Sequence, residues 1–107
     1  MELELTDNQA FDYYAARCGW DYDNGGRYRG LDWDMYASNA HRWGVLPDGT
    51  VHDTVMVLRR DRTTVAAVHF AGREPTEIWS GDIRTSGDFD RLMAIIAAYM
   101  ATQNTGN

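Results

Sequence analysis

Apolar and polar positions alternate with two different periods along this chain, and the changes of period mark its elements. Thr6-Asp7-Asn8-Gln9 has the Thr-x-x-Gln spacing of a capping box, in which two side chains satisfy the free N–H groups of a first helical turn. Ala10, Phe11, Tyr14, Ala15 and Cys18 then fall on one helical face, and Gly19 is a natural stop. The spacing predicts a helix over 7–18.

Asp23-Asn24-Gly25-Gly26 reads as a turn, because Asn and Gly accept positive φ cheaply. On either side, Trp20-Asp21-Tyr22-Asp23 and Leu31-Asp32-Trp33-Asp34 alternate rings with carboxylates. As strands, each puts its rings on one face and its acids on the other. Residues 31–40 also fit a short helix, so that segment stays open between the two.

Pro47-Asp48-Gly49-Thr50 is turn chemistry between strand-like runs at 41–46 and 51–60. Arg59-Arg60-Asp61-Arg62 makes a polar tip, and 63–71 is rich in β-branched residues. Gly72-Arg73-Glu74-Pro75 breaks that run, and 77–83 can form a further strand. Thr85-Ser86-Gly87-Asp88 offers caps for a last helix, with Phe89, Leu92, Met93, Ile96, Tyr99 and Met100 along one stripe. Gln103 to Asn107 is expected to fray.

The expected class is therefore α+β. It consists of a single two-layer domain over 1–107, with an N-terminal helix, a three- to four-stranded antiparallel meander and a C-terminal helix packed on the sheet. A chain of 107 residues with 44% apolar content can close one such core. No internal repeat or linker divides it.

Charge changes the picture more than composition does. Net charge is −6, and residues 1–36 hold eight acids against three arginines, a balance of −5. Such a surface repels a phosphate backbone and attracts a basic protein. All ten basic residues are arginine, a bias that a GC-rich coding sequence produces and that names no function. One cysteine forms no internal disulfide, and no apolar run reaches membrane-spanning length. The expected location is cytoplasmic.

Four constellations invite chemistry. Asp21, Asp23, Gly26 and Asp32 occupy positions 1, 3, 6 and 12 of a calcium-loop frame. Gly25 supplies no ligand at position 5, however, and Arg27 and Arg29 intrude, so no metal or other cofactor is expected. Asp21/Asp23 and Asp32/Asp34 are candidate carboxylate pairs, but nothing marks one of them as desolvated. His41, His52 and His69 share no compact ligand spacing, and Cys18 lies on an apolar helix face where thiols are inert. No catalytic residue is assigned.

The fourth constellation weighs most. Nine of thirteen aromatics lie between Phe11 and Trp43, within or close to the acidic third. Exposed Tyr and Trp anchor protein interfaces, and carboxylates around them select a basic partner. The expected function is non-catalytic. Asp21, Asp23, Asp32 and Asp34, with Trp20, Tyr22, Tyr28 and Trp33, block a larger basic protein, such as a nuclease or another nucleic-acid-handling effector. Toxin-immunity proteins and phage anti-defence inhibitors, anti-CRISPR and anti-restriction proteins among them, work this way as functional classes. The acids would then mimic a nucleic acid, and direct nucleic-acid or membrane binding is not expected. Two alternatives remain: a small-molecule or metal-binding domain with hydrolytic activity, and a self-associating assembly protein such as a homodimer.

Overall fold

The computed structural model describes residues 2–45, 47, 51–71 and 74–104. Seven elements follow one another: α1 (Asn8–Arg17), β1 (Asp21–Tyr28), β2 (Leu31–Val45), β3 (Val51–Arg59), β4 (Thr64–Ala71), β5 (Thr76–Asp82) and α2 (Ser86–Asn104). The strands form one antiparallel sheet in the order β1-β2-β3-β4-β5. The expected α+β meander between two helices is present, with five strands rather than three or four. The difference arises in the first hairpin, where β1 is a full strand and 31–45 is a single 15-residue strand rather than a short helix and a separate run.

The hairpin turn also sits later than the sequence suggests. Arg29 (φ 53°) and Gly30 (φ 75°) both take positive φ, as the tight two-residue turn of a hairpin requires. Asp23-Asn24-Gly25-Gly26 lies inside β1, with the register shifted between Tyr22 and Asn24 by a bulge. The turn expected at Pro47–Thr50 falls largely outside the described residues, as do Gly72 and Arg73 of the break expected at Gly72–Pro75.

Helix α1 starts one residue later than the capping-box spacing implies. Asp7 is its cap and accepts from the backbone N–H of Gln9 and Ala10, whereas Thr6 donates its hydroxyl to Glu4. At its other end Gly19 N–H bonds to the Ala16 carbonyl and Trp20 N–H to Ala15. This is a Schellman stop with Gly19 at positive φ. It delivers Trp20 directly into the core.

Helix α2 is opened by a reciprocal pair: Asp88 N–H donates to the Thr85 hydroxyl, and Thr85 N–H donates to the Asp88 carboxylate. It runs through Asn104, so Gln103 is helical rather than frayed, and 105–107 lie outside the described residues. Among the described residues no helix is long and apolar enough to cross a membrane.

Both faces of the sheet are apolar. Toward the helices, Tyr36, Val55, Val57, Val65 and Ala67 pack with Phe11, Ala15, Phe89, Leu92 and Ile96. On the other side Tyr28, Trp33, Met35, Ala37, Met56, Leu58, Ala66 and Val68 form a second buried cluster. The sheet covers this second face by curling. Laid flat, edge strands β1 and β5 would stand about 19 Å apart, four strand spacings. Yet the Tyr28 hydroxyl donates to Glu77 at 3.1 Å, and its ring meets Phe70 at 6.2 Å.

Candidate functional site

The hairpin β1–β2, with four aspartates against three arginines, forms one edge of the sheet. Asp21, Asp23, Asp32 and Asp34 are all exposed there. Cross-strand partners share a face, so the pairs Tyr22↔Tyr36, Gly25↔Asp34 and Arg27↔Asp32 place Asp32 and Asp34 on the helix side. Asp21 lies opposite Ala37 and faces the other way, while Asp23 occupies the bulge. Asp32/Asp34 is thus a same-face pair, and Asp21/Asp23 is not.

Asp32 pairs with Arg27 at 3.4 Å, and Asp23 with Arg42 at 3.7 Å. Among the described residues Asp34 has no ion-pair partner. The calcium frame is pulled apart by the strands. Asp21 pairs with Ala37, five residues along β2 from Asp32, which separates the two by roughly 17 Å. Among the described residues no cluster of three or more His, Cys, Asp or Glu is placed to hold a metal ion.

The rings divide unevenly. Trp20 is buried and stacks on His41 at 4.7 Å. Trp33 is buried with its indole N–H donating to the Tyr28 carbonyl, and Tyr28 is buried at the closure of the curled sheet. Of the four rings expected at the surface, these three belong to the core. Tyr22 remains, 53% exposed, leaning edge-on against Tyr36. The reason lies in the register: the strand period that exposes Asp32 and Asp34 turns Trp33 into the second cluster.

A groove of about 520 Å³ opens over this hairpin, lined by Gly25, Gly26, Arg27, Asp32, Trp33, Asp34 and Arg60. Its glycines have different causes. A Cβ on Gly26 would strike the Met35 side chain at 2.8 Å, so packing explains that residue. A Cβ on Gly25 would meet nothing closer than the Trp33 carbonyl at 3.7 Å, an ordinary contact.

Two polar constellations were not foreseen from the sequence. Asp53, His69 and Tyr99 form a chain at the far end of the helix-side face. The Asp53 carboxylate bonds His69 Nε2, and the Tyr99 hydroxyl lies 2.6 Å from Nδ1. His69 is buried and Trp43 packs beside it. A polar residue at the apolar-face position after Val65 and Ala67 is the one signal the sequence offered. The second is Arg59, buried where a polar tip was expected, and it lines a groove of about 760 Å³ with Asn8, Asp34 and Arg60.

The other candidate nucleophiles and bases are subdued. Burial pushes the Cys18 thiol pKa up, which disfavours the thiolate form that reacts. Burial lowers the His41 pKa, and its Nδ1 has no partner among the described residues. The His52 side chain is outside the described residues. No family model matches the chain, and comparisons with curated proteins and with solved structures found no match.

Proposed function

We propose that this chain is a non-catalytic binding protein whose acidic β1–β2 hairpin engages a larger basic protein and blocks its working surface. The partner class is a nucleic-acid-handling effector such as a nuclease, as for anti-defence inhibitors and immunity proteins. One observation carries the reading. The exposed carboxylates Asp21, Asp23, Asp32 and Asp34 and the exposed ring of Tyr22 lie on one hairpin at an uncovered sheet edge, with Tyr22, Asp32 and Asp34 on the helix-side face and Asp21 on the other. Carboxylates so placed meet arginines and lysines that otherwise contact phosphate, and they speed encounter with such a surface. Trp20, Tyr28 and Trp33 act beneath this surface by holding the hairpin rigid.

The test is affinity capture from lysate of the native source at low and high salt, with competing DNA. Recovery of one basic nucleic-acid-handling protein, lost at high salt or displaced by DNA, is the expected result. Recovery of no specific protein overturns the reading. With a partner in hand, Asp21→Arg combined with Asp32→Arg should weaken binding on the order of tenfold or more. The thermal midpoint should move by no more than about 2 °C, because exposed ion pairs such as Arg27–Asp32 contribute little to stability. Unchanged binding would remove the carboxylates from the mechanism.

A further inference from the structure

We infer that the outer edge of β1 is a docking edge on which an extended basic segment of a partner protein adds as a sixth strand. In that arrangement one arginine or lysine side chain crosses the bare Gly25 to meet Asp34. The inference rests on the preceding reading of a basic protein partner and specifies how that partner is held.

The two sheet edges are not equivalent. β5 is partly buried along most of its length, with Ile78 and Trp79 packed against the helix-side core. β1 has β2 as its one strand neighbour among the described residues, and Asp21 to Gly25 are exposed without a break. Past the bulge between Tyr22 and Asn24, the uncovered edge presents alternate N–H and C=O groups that a further strand satisfies. Charge sets which strand is accepted. Asp21 and Asp23 on the edge, in a chain of net charge −6, oppose a second copy and favour a basic segment.

Gly25 gives the edge its specific feature. It lies directly opposite Asp34, it is not among the residues with positive φ, and a Cβ there would make only an ordinary contact. Neither a positive φ nor a clash at Cβ requires glycine at this position. Its effect is to leave the groove open between the free edge and Asp34. A strand added outside β1 lies about 10 Å from β2, a span that a long basic side chain bridges and a serine or threonine does not. The neighbouring ions are already engaged: Arg59, directly opposite Asp34 on β3, with Asn8 and the Arg62 carbonyl, Arg27 with Asp32 and the Gly30 carbonyl, Asp23 with Arg42, and Arg60 over the Trp33 ring at 5.9 Å. Among the described residues Asp21 and Asp34 both lack an ion-pair partner, and Asp34 is the one that lies across Gly25 from the edge.

The experiment titrates the full chain with an eight-residue alternating Thr–Arg peptide. Its two controls are the same peptide N-methylated at alternate amides and a Thr–Glu peptide. Backbone amide shifts and hydrogen exchange are read residue by residue. The Thr–Arg peptide should slow exchange of the β1 amides at least tenfold and leave β5 unchanged. The N-methylated peptide, equal in charge, should bind at least tenfold more weakly, and the Thr–Glu peptide should not bind. Gly25→Leu and Asp34→Asn, each checked for an intact spectrum, should each weaken Thr–Arg binding at least fivefold.

Equal binding of the N-methylated peptide, or indifference to Gly25→Leu, overturns strand addition while leaving the acidic-surface reading in place. Absence of Thr–Arg binding also overturns it, even if lysate capture yields a partner. Protection of β1 without peptide, together with dimers in sedimentation, assigns the edge to a second copy and overturns it as well.

Discussion

Arg59 carries a charge into the interior without a carboxylate within ion-pair distance among the described residues. It is 3% exposed. One terminal nitrogen donates to Asn8 at 2.6 Å and the other to the Arg62 carbonyl at 3.2 Å, while the guanidinium lies over Phe11 at 4.6 Å. Its Nε has no hydrogen-bond partner among the described residues. A guanidinium tolerates this setting because its charge is spread over a plane that stacks and forks, and it is weakly hydrated. Arg59→Lys should therefore cost about 2 kcal/mol, since a point ammonium cannot reach both acceptors and stack as well. Arg59→Met should cost less than the lysine, because it removes the charge and the orphaned Nε at similar volume. Urea unfolding of the two variants checks the order, and a lysine variant as stable as the parent contradicts the account. Nothing in Arg59-Arg60-Asp61-Arg62 distinguishes the first arginine from the rest. Its role depends on Asn8, 51 residues away, which no local pattern encodes.

The hairpin β1–β2 shows how far local chemistry predicts an element. Ring-and-acid alternation in 31–34 correctly implied that Asp32 and Asp34 share an exposed face, because that follows from strand period alone. The same alternation failed at Asp21–Asp23, where a bulge breaks the period. The turn was misplaced because Asn24-Gly25-Gly26 satisfies positive φ as well as Arg29-Gly30 does, and pairing decided between them. Only the later turn sets Tyr28 and Trp33 together in the second core cluster. Gly30→Ala should then cost about 1 kcal/mol, as a side chain is forced into left-handed backbone. Gly25→Ala should change stability by less than about 0.5 kcal/mol, since that strand position has normal backbone and room for a Cβ. Equal losses at the two positions, read from chemical denaturation, would return the turn to Asp23–Gly26.

At the scale of the whole molecule, four phenols tie together elements that are distant in the chain. Tyr14 of α1 donates to Asp90 of α2, Tyr36 of β2 to Asp12 of α1, and Tyr28 of β1 to Glu77 of β5. Tyr99 of α2 meets His69 of β4. These ties close the curled sheet, join α1 to α2 and hold the helices to the sheet. The helix stripes carrying Tyr14 and Tyr99 were legible in the sequence, but the partners were not, because each tie joins residues 24 to 76 positions apart. All four phenol pKa values are raised. The hydrogen bond to Asp90 leads for Tyr14, pushed up to about 12, and burial leads for Tyr28, Tyr36 and Tyr99. A phenol whose folded pKa exceeds its unfolded value near 10 holds its proton in the native state after the unfolded chain has released it. The stability it contributes is complete below pH 10 and is lost as pH rises through the folded pKa. With no lysine in the chain and arginine charged throughout, tyrosine dominates titration in that window. The urea midpoint should hold steady up to pH 9.5 or so and fall steeply from about 10 to 12. Tyr14→Phe should reduce the slope. Phenolate absorbance near 295 nm should then rise together with unfolding, as followed by tryptophan emission. Should these four phenols ionise near pH 10 while the tryptophan signal stays native, the ties between elements would not be what holds the sheet closed.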